Sequence, residues 1–120
     1  MDLTFYSIDS NNDKVLYHTS YIKSENTIIF DDKSVLNTKI YLTIKDDKVL
    51  FERKGNVIMY ILLDLDKITF CHYENEMGLK FDFSVKTTNL VLKNNKIEMA
   101  YQLFLENDMI SNHKITIIFH

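Results

Sequence analysis

Among the residues of this chain able to do chemistry, Arg53 is the one whose position most needs explaining. It follows Val49 and Phe51 at every second position. In an extended strand residues i and i+2 share a face, so a face that buries Val49 and Phe51 also carries a guanidinium. A buried ion costs several kcal/mol unless it is paired. Two expectations meet that demand. Arg53 can close a strand end beside the turn at Gly55, bonding backbone carbonyls or a carboxylate. Alternatively, its planar fork can meet an anionic group of a ligand and hold it bidentately.

His72 and Glu74 form the second candidate. Two apart on a strand, they share a face that continues Ile68 and Phe70. His-x-Glu can supply two metal ligands, or a base and the group that orients it. A metal site wants three or four ligands, and Cys71, next to His72, points the other way. His18, His113 and His120 lie far off in sequence, so the expectation is a half-buried or rim histidine and no metal. Cys71 shares a face with Thr69 and Tyr73 and has no local base or oxyanion donor. It reads as a small buried hydrophobe. Ser34, Ser84 and Ser111 lack a nucleophile elbow, and Gly55 and Gly78 are too far apart for a phosphate loop. The scattered tyrosines read as cross-strand packing residues.

These side chains must be positioned by strands. The clearest stretch runs from Gly78 to Leu105. Leu79, Phe81, Phe83, Val85 and Thr87 alternate with polar residues, Asn94-Asn95 interrupts, and Ile97, Met99, Tyr101, Leu103 and Leu105 alternate again. A period of two means one buried and one wet face. The Asn pair suits a tight turn because it tolerates left-handed backbone. Upstream, strands are expected over Leu3 to Ile8, Val15 to Ile22, Thr27 to Phe30, Lys39 to Lys45, Val49 to Lys54, Val57 to Leu63 and Lys67 to Glu74. Asp9–Asp13, Asp31–Lys33, Asp46-Asp47, Gly55-Asn56 (Gly first, as in a type II′ turn), Asp64–Asp66 and Asn75–Gly78 separate them. Val57 to Leu63 is the longest apolar run and suits a strand buried on both faces. A last strand follows Glu106–Asp108, with His113, Ile115, Ile117 and Phe119 on one side. No stretch carries a helical period. Nine or ten strands with short turns imply an antiparallel up-and-down barrel, because closure removes exposed edges.

Bulk properties narrow the function classes. The chain has 120 residues, enough for a single domain spanning 1–120. Its net charge of −3 and lack of any basic block disfavour phosphate-driven nucleic-acid binding. With two glycines and no proline, its turns must lean on Asn and Asp. One cysteine excludes an internal disulfide. The N-terminal residues do not read as a signal peptide, and no apolar run approaches a spanning helix. The expectation is a soluble, cytoplasmic protein with no membrane association.

From Val49 onward the sequence resembles the YwiB-like family of uncharacterised bacterial proteins. The likeness is carried by Val49-Leu50-Phe51-Glu52-Arg53-Lys54-Gly55, by Tyr73 followed five residues later by Gly78, by Thr87-Thr88 and by Ile97 to Leu103. It extends roughly over residues 35 to 119. The Thr and Pro that the family often places between that Tyr and Gly are absent. The resemblance implies a calycin-type, lipocalin-like β-barrel and brings no activity or cofactor with it.

Side chains as large as Phe81, Phe83, Met99, Tyr101 and Leu103 fill an eight-stranded lumen. Nine or ten strands leave room for at most a small apolar pocket, with Arg53, His72, Thr87 and Tyr101 as its sparse polar contacts. The leading expectation is therefore a non-enzymatic barrel that binds a small apolar or amphipathic molecule, anionic ones included. The rival is an interaction or homodimerisation module, motivated by apolar residues expected on the outside: Leu50, Ile61, Phe104 and Ile118. An enzyme would need three converging polar groups, and two near neighbours are the most the sequence offers.

Overall fold

The computed structural model describes residues 1–120. Ten strands follow one another: β1 (Asp2–Asp9), β2 (Lys14–Ser24), β3 (Thr27–Asp31), β4 (Thr38–Lys45), β5 (Lys48–Gly55), β6 (Ile58–Leu63), β7 (Thr69–Glu74), β8 (Lys80–Leu92), β9 (Lys96–Leu105) and β10 (Asp108–Phe119). Each pairs antiparallel with its sequence neighbours, and β1 pairs with β10 to close the barrel. The turns draw on Asn and Asp as expected. Asn12, Asn37, Asp46 and Asp47 all have positive φ, and the consecutive Asp46-Asp47 pair has the backbone signs of a type I′ hairpin. The Asn94-Asn95 turn is present but needs no left-handed residue; it closes through the Lys93 amide donating to the Lys96 carbonyl at 2.9 Å.

The five odd-numbered connections (after β1, β3, β5, β7 and β9) lie at one end of the barrel, called here the upper end. The lower half of the lumen is solid. Leu3, Leu42, Val49, Leu63, Ile97 and Ile117 are fully or almost fully buried there, with Phe5, Phe51 and Ile61 above them. Inward parity on β8 runs Phe83, Val85, Thr87, then jumps. A bulge between Thr87 and Asn89 inserts Thr88, after which Leu90 and Leu92 face Met99 and Ile97. One extra residue flips the alternation, which is why the period of two fades after Thr87. A second bulge, between Met109 and Ser111, puts Ser111, His113, Ile115 and Ile117 on the inner face.

Three expectations are corrected. β6 is not buried on both faces: Met59, Ile61 and Leu63 point in, while Ile58 and Tyr60 are exposed. Ile61 therefore belongs to the core, not to an outer patch. Leu79, Phe81 and Leu105 share the inward parity, yet are exposed because they stand at the open upper end, where no further layer covers them. Gly55 ends β5 instead of leading a two-residue turn, and the connection is Asn56–Val57.

Candidate functional site

The upper half of the barrel is hollow on one side. A cavity of about 480 Å³ opens there, lined by seventeen residues, eleven of them hydrophobic. They come from β1, the following turn, β2 and β5 to β10, and none from β3 or β4. Met59, Cys71 and Ile115 lie in its deep wall, which merges with the core. Tyr73, Phe81 and Phe83 make an aromatic side. The Phe81 and Phe83 rings lie parallel within 4°, with centroids 6.2 Å apart. Asp9 and Asp13 stand at the β1–β2 turn, Arg53 enters from β5, and Tyr101 and His113 enter from β9 and β10.

The β3–β4 connection explains how Arg53 is tolerated. Its guanidinium Nε lies 3.0 Å from Oδ2 of Asp32, whose side chain is wholly buried; the arginine side chain is 22% exposed. The two atoms are close but poorly aligned for a hydrogen bond, so the attraction is mainly Coulombic. The other carboxylate oxygen, Oδ1, accepts the Ser34 amide at 3.0 Å and the Ser34 hydroxyl. Asp32 thus ties its own turn to the arginine. The Tyr17 hydroxyl, also buried, lies in the field of this pair. Burial raises its pKa most, and the Asp32 charge adds to the effect.

Burial also sets the protonation of the cavity wall. It pushes the Cys71 thiol up to about 11 and the Tyr101 phenol to about 12, against the opposing pull of the Arg53 charge. Both are protonated at neutral pH. His113 stacks on Tyr101 with centroids 5.0 Å apart, and its Nε2 lies 2.9 Å from the Ser111 hydroxyl. Desolvation lowers its pKa, outweighing the Asp9 carboxylate. The wall offers hydrogen bonds, with no thiolate nucleophile.

Because His113 has a depressed folded-state pKa, the unfolded chain takes up its proton first as pH falls below the ordinary value of 6.5. Stability is then lost on acidification through and below that value. The His113→Gln variant should lose less stability than the parent between pH 7.5 and 5.5 in urea titrations. An equal loss would place the titration elsewhere.

Of the four residues expected to meet a ligand, Arg53 and Tyr101 line the cavity and two do not. His72 is on the outside of the barrel, bonded through Nδ1 to Asp82 at 2.7 Å and through Nε2 to Glu74 at 3.3 Å. Those two carboxylates, by hydrogen bonding, raise its pKa. Ile61 and Phe83, both inward, are the partners of Cys71. Their register forces Thr69, Cys71 and Tyr73 inward and leaves the more apolar Ile68 and Phe70 in solvent. Thr69 is accommodated by donating its hydroxyl to the Leu62 carbonyl. Thr87 is buried, but its hydroxyl accepts the Asp64 amide at 3.0 Å and is already used. Sequence reading puts Asp32 in a turn and Tyr17 among the packing tyrosines, and gives neither a part in the site. An inward arginine announces that some carboxylate must reach it, and nothing in the sequence chooses Asp32. No three His, Cys, Asp or Glu side chains converge as a metal site.

Residues 6–117 match the model of a family described as a domain of unknown function, DUF1934. The chain belongs to this family. Its fold also matches the crystal structure of the ywiB protein from Bacillus subtilis. The TM-score is 0.66 at 18% identity, over 99% of this chain and 90% of that one. At that identity the match speaks for the barrel alone. No curated protein matches the chain. For this DUF1934 protein, any functional reading rests on the cavity.

Proposed function

We propose that the protein is a non-enzymatic binding barrel for a small, mostly apolar or amphipathic molecule seated in the upper cavity. The supporting observation is an asymmetric lumen, packed solid below and hollow above, with a wall that is mostly apolar and carries a few polar groups. Its volume falls within the range of small-molecule pockets. The protonated Cys71 and neutral His113 suit a wall that holds a molecule without attacking it.

The neutral fluorophore N-phenyl-1-naphthylamine tests this reading. It should bind with enhanced emission, and Ser111→Trp, which places an indole in the cavity, should weaken binding at least about tenfold, or roughly 1.4 kcal/mol. Equal binding by a folded Ser111→Trp variant would place the fluorophore elsewhere and sink the proposal.

A second reading, homodimerisation, is supported by the outer face. Phe70 is 73% exposed and lies in register with Ser84, Phe104 and Met109 across four strands, while Leu50 pairs with Leu62 nearby. Exposed apolar patches of this kind favour self-association. Sedimentation equilibrium should then show a dimer that Phe70→Asp dissociates; a monomer at high concentration argues against it.

A further inference from the structure

Resting on the binding-barrel reading, we infer that the cavity takes an organic carboxylate: an apolar body whose acid group is gripped by the lumen-facing edge of Arg53. A guanidinium is a planar fork with N–H donors on more than one edge. Asp32 meets only one of them, lying 3.0 Å from Nε. Nη1 and Nη2 enter no hydrogen bond or ion pair within the protein, and unlike Nε they are not among its buried unpaired atoms. They therefore keep accessible surface, on a residue that lines the upper cavity. Asp32 is behind the wall, at a separate hollow bounded by the β3–β4 connection. Phe51 holds a further side, its ring centroid 5.4 Å from the guanidinium Cζ. Backed by one carboxylate and laid on one ring, the terminal edge is in place before any ligand arrives, and preorganised donors lose little entropy on binding.

The charge that reaches the lumen is the arginine's. Its field works to lower the pKa of Cys71, Tyr101 and His113, all in the cavity wall. Asp32 does not figure among the influences on any of the three, and makes itself felt instead at Tyr17, outside the cavity. In a low-dielectric wall such a charge acts more strongly than in water. Tyr101 adds a second donor, because burial keeps its phenol protonated at neutral pH. The two acidic residues that line the cavity stand elsewhere. Asp13 is exposed in the β1–β2 turn, and Asp9 spends Oδ1 on the amides of Asn11 and Asp13. β1 is four strands from β5 in one direction round the barrel and six in the other, which puts that turn across the lumen from Arg53. The lining is otherwise mostly hydrophobic, so an acid with an apolar body suits both parts of the wall.

Calorimetric titration with decanoate, decan-1-ol and decylammonium, at pH 7.4 and below their aggregation limits, tests the charge. Decanoate should bind at least about tenfold more tightly than decan-1-ol, and more tightly still than decylammonium. In Asp32→Asn/Arg53→Met, which removes both ions together, the gap between decanoate and decan-1-ol should close to within about threefold. A melting curve run alongside checks that this variant is folded. The parent protein supplies a location that needs no variant. Nuclear Overhauser contacts from the C2 methylene of bound decanoate should reach side-chain protons of Arg53 or Tyr101. Contacts from that methylene to the β1–β2 turn instead overturn the carboxylate assignment. Decan-1-ol binding as tightly as decanoate overturns it too, as does a preference that survives in the folded double variant, and each of these leaves the binding barrel standing. Failure of all three probes to bind overturns both readings.

Discussion

Replacing Asp32 with Asn is expected to destabilise the barrel by about 3 kcal/mol, because it strands the Arg53 guanidinium without its counter-charge. Asparagine keeps the oxygen that accepts the Ser34 amide, so the turn after β3 retains that bond. What disappears is the charge 3.0 Å from Nε, in a place where the carboxylate is fully buried. A loss of this size should lower the melting temperature by roughly 10 °C for a domain of this length. The double variant Asp32→Asn/Arg53→Met tells a charge effect from a packing effect. Removing both ions should restore most of the lost stability, since a buried pair replaced by uncharged groups is often neutral or better. If the double variant is no more stable than Asp32→Asn alone, the pair is not what holds the upper end together. The measurement is a urea unfolding curve for each variant, with the midpoint and slope compared separately.

The second large effect is expected at Gly55. Its Cα approaches the neighbouring strand so closely that an added Cβ would fall 1.9 Å from the Asn37 carbonyl oxygen and 2.6 Å from the Thr38 Cα. Both are backbone atoms and cannot rotate aside. Its φ of +150° adds strain for any side chain. Gly55→Ala must therefore push β4 away from β5 at the point where Thr38 and Gly55 pair, next to the Asp32 turn. A loss of more than about 3 kcal/mol is expected. Gly78→Ala is the internal control. That residue also has positive φ, but nothing lies within 4 Å of the added carbon, so about 1 kcal/mol is expected from backbone conformation alone. Comparable losses at the two positions would mean that crowding at Gly55 is relieved by movement of the strands.

Both effects concern the upper end, where sequence reading was least complete. Arg53 was legible as an inward ion because Val49 and Phe51 share its parity. Its partner was not, because Asp32 lies in a turn reached only by closing the sheet. His113 could be placed inward from its phase with Ile115, Ile117 and Phe119. Ile68 and Phe70 look like the buried face of β7, and by parity they carry His72 inward with them. Pairing with β6 and β8 overrules that appearance, since a strand's facing is shared by all the strands it bonds to. The smaller and more polar Thr69 and Cys71 face the core instead.

The two-residue alternation and the Asn- and Asp-rich turns by themselves determined an all-β chain of consecutive antiparallel strands, its inward rows on β5, β8, β9 and β10, and an uncompensated arginine among them. Such patterns are local, written residue by residue into which face of a strand can be dried. The tertiary structure alone decided that β1 meets β10, that one half of the lumen is hollow on one side, and that Asp32 is the carboxylate that reaches the arginine. Those outcomes depend on distances between side chains far apart in the chain, which alternation along one strand cannot encode.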